Sequence, residues 1–267
     1  MTAPNLLKTP FSAISKRDKF DLKIMLAGGT GSGKTHLCGT YTRGPIHFYM
    51  IDKGGEVTLR KLVKDRPEGS PMTVDRLSDS SINLLDIWTK IQQDEKDGLF
   101  DYLAENNGIA IFDSVTNMAI KGKKEIAKTC GVTPPTIGKR TDKKYKFSFH
   151  HWDQIESWLS TVVGMIQDLP CAAIATIHLM TMTDKEGAVI CRKPLLQGSM
   201  RDKIDIDFTE VYLCDTKKGK HQIYMQKKGK FDAKSKAFSC YRLENITMDY
   251  LADSYLNGVV ELKQPTK

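Results

Sequence analysis

The sequence contains no run of about 18 apolar residues, so no segment reads as a membrane-spanning helix. The first 20 residues, MTAPNLLKTPFSAISKRDKF, lack a charged start followed by a continuous apolar core. No secretory leader is expected from that pattern. Six cysteines (38, 130, 171, 191, 214 and 240) are scattered with no CxxC pair. That spacing argues against a zinc cluster and for reduced, mostly buried thiols, hence a reducing cytoplasm. No internal repeat and no low-complexity tract is present, which excludes solenoids and long linkers.

The 267 residues are 40% apolar, enough for one large domain with a real core. Net charge is +8, and its distribution is uneven. Residues 121–146 hold nine Lys or Arg against Glu125 and Asp142, a net +7, which leaves the remainder near neutral. Concentrated positive charge is the electrostatic footprint of a polyanion partner.

Four continuous apolar runs, DLKIMLA (21–27), PIHFYMID (45–52), GIAIFD (108–113) and CAAIATIH (171–178), read as buried strands. Between them GEVTLRKLVKD, SINLLDIWTKIQQDE and WDQIESWLSTVVGMIQDL (152–169) place apolar residues at three- and four-residue intervals, as amphipathic helices do. Later stretches, TEVYLCD, HQIYMQ and AFSCYRL, are shorter and more alternating, and Asp-Lys-Glu-Gly at 184–187 suggests a hairpin. The expected class is α/β: a mostly parallel sheet flanked by helices, with an antiparallel extension near the C-terminus. Residues 1–18 read as an arm, 19–245 as the main domain with a basic insertion at about 119–148, and 246–267 as a tail.

Gly28-Gly29-Thr30-Gly31-Ser32-Gly33-Lys34-Thr35 fits GxxxxGK(S/T) in full, with a strand before it and a helix after it. Glycines let backbone N–H groups turn toward a phosphate without Cβ clashes, and the helix start adds positive potential there. Residues 28–35 with His36 are therefore the candidate nucleotide-binding set. Lys34 is expected to reach the β- and γ-phosphates, and the Thr35 hydroxyl to bind Mg²⁺. Asp113, at the end of IAIFD, is the candidate second carboxylate, holding Mg²⁺ through water. Its alternative role is a helix cap before DSVTNMAI.

The ordered set GGTGSGKTHL, FYMIDKGG, IAIFDSVTNM, HHWDQIESWL, AAIATIH, PLLQGSMRDKI and FTEVYLCD resembles phage-encoded RecA-like P-loop ATPases over roughly residues 20–240. These are phage nucleotide-binding proteins of the single-strand annealing and recombination type. The resemblance implies ATP, with Mg²⁺, as cofactor; no guanine-reading Asn-Lys-x-Asp element is present. It implies a host-cell cytoplasmic protein, a single-stranded-DNA partner and a homo-oligomeric ring or filament. His178 takes the place of a γ-phosphate sensor, the alternative being a solvent-facing histidine at a strand end. Lys234 and Lys236 resemble a trans-acting element that enters a neighbour's site, or else form a solvated turn; Arg201 and Lys203 are weaker candidates. Where relatives carry a water-orienting glutamate after the second strand, this chain has Gly54. Glu56 or Asp52 is left for that work, and slow turnover is expected.

The basic segment ends in KKYKFSFHHW. Lys139, Arg140, Lys143, Lys144 and Lys146 are the candidate DNA-tracking residues. Tyr145, Phe147 and Phe149 read either as base-stacking rings or as a half-buried strand. The leading expectation is an ATP-binding, slowly hydrolysing, single-stranded-DNA-binding protein. Its alternatives are a helicase or helicase loader, a nucleotide-dependent assembly factor with little hydrolysis, and a small-molecule P-loop kinase with GKRTDKK as a lid.

Overall fold

A computed structural model describes residues 19–131, 148–186, 189–196, 199–229 and 231–265. Its strands are β1 (Lys23–Gly28), β2 (Ile46–Met50), β3 (Met72–Arg76), β4 (Ile109–Asp113), β5 (Ala172–Thr183), β6 (Val189–Pro194), β7 (Glu210–Lys217), β8 (Lys220–Tyr224) and β9 (Arg242–Glu244). Its helices are α1 (Lys34–Gly39), α2 (Gly55–Val63), α3 (Leu84–Lys96), α4 (Leu99–Glu105), α5 (Val115–Thr129), α6 (Phe149–Asp168), α7 (Met200–Asp207) and α8 (Met248–Leu256).

The sheet runs β3-β2-β4-β5-β1-β7-β8-β9. The six strands from β3 to β7 are parallel; β8 and β9 continue antiparallel, and β6 folds back on β5. This is the α/β architecture expected from the apolar runs. Every residue of β2 and β4 is buried, because helices cover both faces. Strand periodicity divides the core. Met25, Ala27, Tyr49, Phe112 and Ala175 face α3 to α7, whereas Ile24, Leu26, Phe48, Ile111 and Ile174 face α1, α2 and α8.

Several elements differ from expectation. β3 was not legible: Met-Thr-Val-Asp-Arg carries no buried residue, since it is the sheet edge. α4 is a seven-residue helix with only Phe100 and Leu103 buried, too short for a periodic signal. Phe149 belongs to no strand; it opens α6 behind the Ser148 cap and is 82% exposed. Helix-capping chemistry, Ser148 with His151 three residues on, overrides the period-two aromatic pattern there. Beyond residue 245 lies α8, whose Met248, Leu251, Ala252 and Tyr255 are buried in the second core.

No helix among the described residues is long and apolar enough to cross a membrane. The registers bring Gly28 level with His178, and Asp113 level with Met50. The C-terminal ends of β1, β2, β4 and β5 thus share one edge, where ligands gather in open parallel sheets.

Candidate nucleotide site

The loop 28–35 starts where β1 ends. Gly31 and Gly33 sit at φ +75° and +91°, the left-handed region that only glycine enters cheaply. Gly28 is glycine for a different reason: a Cβ there would lie 2.5 Å from the Cys214 carbonyl oxygen. Lys34 is 6% exposed, and its Nζ donates to the carbonyls of Gly28 (2.9 Å) and Gly29 (3.0 Å). Burial holds the Lys34 ammonium below the usual lysine range, while Cys214 and the carboxylates of Asp113 and Asp52 pull it the other way.

Thr35 and Asp113, 78 positions apart in sequence, meet directly: the Thr35 hydroxyl donates to Asp113 Oδ2 at 2.8 Å. From β5 the Thr176 hydroxyl donates to Asp113 Oδ1 at 2.5 Å. Asp113 is 1% exposed, and burial pushes its carboxyl above the ordinary aspartate value, more than those hydroxyls and Lys34 offset. Among the described residues no cationic side chain forms an ion pair with it. The helix-cap reading of Asp113 is displaced by one residue: Ser114 caps α5 by accepting from the Asn117 N–H.

Asp52, just beyond β2, is the second carboxylate of the cluster. Its Oδ1 accepts from Ser114 Oγ (2.6 Å) and from Asn117 Nδ2, and its Oδ2 meets His178 Nε2 at 2.7 Å. Burial raises the Asp52 carboxyl, but the hydrogen bonds from His178, Ser114 and Asn117 together bring it below the ordinary value. His178 is therefore tied into the cluster by its ring, and its backbone N–H donates to Thr116 Oγ1 at 2.9 Å.

Glu56 lies elsewhere. It sits in the first turn of α2, and its Oε1 pairs with Arg76 Nε at 2.9 Å across the β3 edge. Of the two candidates for orienting water, Asp52 is in the cluster and Glu56 is turned away. Lys234, Ser235 and Lys236 wrap around buried Glu210, which accepts from Ser235 Oγ and the Lys236 and Ala237 N–H groups. Glu210 is level with Ile24, four residues before Gly28, so this turn is at the opposite end of the sheet from its own phosphate loop. Arg201 donates to the Leu196 carbonyl, and Lys203 pairs with Glu156 at 3.0 Å.

Lys139, Arg140, Lys143, Lys144 and Lys146, with Tyr145 and Phe147, fall outside the described residues. Within the described part of the basic segment, Lys121 is buried and donates to the carbonyls of Asp79 (2.5 Å) and Ile82 (2.7 Å). Lys123 lies over the Trp152 ring, 5.4 Å from its centroid. These two lysines hold the fold together rather than offering free surface charge.

Thr176 and Asn117 were not read from the sequence, although a signal existed for each. Thr176 precedes His178 by two residues in a strand and so shares its face; Asn117 is three residues past Ser114 in a helix.

No family model matches the chain, and no curated protein matches it. Among solved structures it is similar to an ATPase from the type III secretion system of pathogenic bacteria, at 16% identity and a TM-score of 0.42, over 72% of this chain and 51% of that one. It is also similar to the assembled ATPase EscN from the type III secretion system of enteropathogenic E. coli, at 14% identity and a TM-score of 0.43, over 73% of this chain and 43% of that one. EscN in complex with its central stalk EscO gives 14% identity and a TM-score of 0.42, over 72% of this chain and 42% of that one. The chain thus spans about half the length of these structures or less, 42–51%.

Proposed function

We propose that the chain binds ATP with Mg²⁺ at the loop 28–35 and hydrolyses it slowly. The observation that carries this reading is the direct contact of Thr35, one residue after Lys34, with the buried carboxylate of Asp113, which has no ion pair among the described residues. A hydroxyl and a carboxylate oxygen 2.8 Å apart are hard oxygen donors of the kind Mg²⁺ accepts alongside phosphate and water. Thr35 would hold the ion directly and Asp113 through water, and the ion when bound neutralises charge on the phosphate oxygens. Lys34 supplies a point charge to the triphosphate, and loop N–H groups hold its oxygens. Thr176 fixes Asp113 in place. Asp52 orients the attacking water, with His178 on its other oxygen coupling that carboxylate to the end of β5. Three donors already engage Asp52, which reduces its basicity and supports slow rather than fast turnover.

We further propose a single-stranded-DNA partner, tracked by Lys139, Arg140, Lys143, Lys144 and Lys146, and a role in DNA recombination, annealing or replication. The concentrated charge of 121–146 supports it. Assembly into a ring or filament, with Lys234 and Lys236 acting on a neighbour, belongs to the same proposal. A nucleotide-dependent assembly factor that barely hydrolyses is the second reading, favoured by Glu56 being held by Arg76.

ATP turnover measured with and without single-stranded DNA across a salt series tests these readings. DNA-stimulated, salt-sensitive turnover is expected. DNA binding without turnover supports the assembly factor. Phosphoryl transfer to a metabolite, indifferent to DNA, contradicts both and supports a kinase.

A further inference from the structure

We propose that the cleft between α1 and the β7–β8 hairpin is the nucleobase subsite of this nucleotide site, with His221 as a ligand-contacting residue. The proposal rests on the phosphate-loop reading and extends it to the other end of the ligand. β1 has β5 on one side and β7 on the other. The carboxylate cluster of Asp113 and Asp52 occupies the β5 side. A triphosphate lying on the loop with its terminal phosphate toward Asp113 directs its nucleoside to the β7–β8 side.

A cavity of about 140 Å³ lies there, lined by the loop (Ser32, Gly33), by α1 (His36, Leu37) and by β8 with the segment beyond β9 (His221, Asn245). At ~30 Å³ per water it has the room of roughly four or five waters, which suits one planar ring system and not a whole nucleotide. Its floor is buried and apolar, from Leu37, Cys214, Ile223 and Ile246, and its rim is exposed and polar, from His36, His221, Asn245 and Thr247. That is the composition of a small-molecule pocket.

A second observation is independent of shape. Ser32 is 7% exposed and lines the cavity, yet its Oγ has no hydrogen-bond partner among the described residues. A buried orphan hydroxyl is costly unless a ligand satisfies it.

His221 is placed with care. The hairpin turn has φ +52° at Lys218 and +75° at Gly219, the doubly left-handed turn that suits tight hairpins. Across the hairpin Thr216 pairs with His221, and its Oγ1 meets His221 Nδ1 at 3.2 Å. The imidazole packs so close to Gly33 that a Cβ there would lie 2.6 Å from His221 Nδ1. It faces the His36 ring at 6.0 Å between centroids and 23° between planes. Two near-parallel imidazoles at the mouth of an apolar slot offer flat faces to a heteroaromatic ring.

Calorimetry with ATP and with inorganic tripolyphosphate, both with Mg²⁺, separates the base from the tail. His221→Ala should weaken ATP about tenfold and leave tripolyphosphate within about twofold. His221→Phe, which keeps a ring face, should restore most of the ATP affinity if stacking dominates; if it stays as weak as His221→Ala, a polar contact from the imidazole carries the subsite. Parallel losses for ATP and tripolyphosphate in His221→Ala, or no loss of either, would overturn the subsite. Failure of the wild-type protein to bind either compound, or retention of both by Lys34→Ala, would instead overturn the phosphate-loop reading beneath it.

Discussion

Two polar clusters flank β2, built from nearly the same residue types, and they behave as opposites. On one side His47, Asp75, Asp94, Lys90, Tyr49 and Thr73 form a network between β2, β3 and α3. Lys90 Nζ lies 2.8 Å from Asp75 and 2.5 Å from Asp94. Tyr49 donates to Asp94, and His47 joins Asp75 and Thr73. The charges close on one another. At the strand ends Asp113, Asp52, Lys34, Thr35, Thr176 and His178 make the second cluster. There Lys34 is bound to carbonyls, and among the described residues the Asp113 carboxylate is held by two hydroxyls. A histidine, carboxylates and a lysine within reach of each other therefore do not define a site. What distinguishes the second cluster is a buried carboxylate with no ion pair among the described residues, beside glycines held by a left-handed φ or a close backbone approach.

The comparison breaks most sharply at the two lysines. Lys34→Ala should lower ATP affinity about 100-fold, ~2.8 kcal/mol, with the thermal midpoint little changed. Lys90→Ala should do the reverse. It strands two carboxylates and costs about 1–3 kcal/mol of stability, discounted because Lys90 is 37% exposed, while ATP affinity per folded molecule is unchanged. Titration calorimetry beside thermal melts reads both, and a swapped pattern would reverse the assignment.

At the two water-orienting candidates, Asp52→Asn should cut turnover about 100-fold. Glu56→Gln should leave turnover within about twofold and cost no more than ~0.5 kcal/mol, since it removes only a surface pair with Arg76. Steady-state kinetics decides, and equal losses from both would place Glu56 back in the site.

Asp113→Asn removes a buried charge and keeps one acceptor oxygen; of Thr35 and Thr176, one hydroxyl still donates and the other must turn to accept from the amide. It should raise apo-protein stability by about 1 kcal/mol, a rise of ~2–4 °C in Tm. The matching change in the closed network, Asp94→Asn, should lower it.

The smallest effect is the pH dependence. Asp113 binds its proton more tightly folded than unfolded, so its contribution is favourable at low pH and declines as pH rises from near 3.8 through the raised folded value. Asp52 is depressed, so its contribution is present above 3.8 and is lost as pH falls through the lower folded value. In melts across pH, Asp113→Asn should flatten the first slope and Asp52→Asn the second. Slopes unchanged in both would contradict the burial argument.

Much of this was legible in the linear chain, for identifiable reasons. Buried parallel strands are uniformly apolar, so β1, β2, β4 and β5 declared themselves, and the loop 28–35 reads directly because Gly31 and Gly33 need a left-handed φ and Gly28 has no room for a Cβ. β3 was hidden because an edge strand buries little. The start of α6 was hidden because a Ser148 cap mimics the polar step of an alternating strand. At the site, Lys34, Thr35 and Asp113 were readable from position alone. The placing of Asp52 in the cluster and of Glu56 outside it was not, because Glu56 pairs with Arg76 of the edge strand. Thr176 and Asn117 carried only spacing signals, two residues from His178 and three from Ser114; their contacts with Asp113 and Asp52 depend on how β4, β5 and α5 pack. His221 gave no motif at all; only the hairpin brings it onto Gly33.

The most direct measurement is ATP binding to the wild-type protein and to Asp113→Asn, each with Mg²⁺ and with a chelator. If Asp113 and Thr35 hold the ion, Mg²⁺ tightens ATP binding to the wild type at least about tenfold, and the substitution removes that gain while binding in chelator is unchanged. If Mg²⁺ strengthens ATP binding equally in both proteins, the Asp113 carboxylate is not the ion's partner and the central claim is contradicted.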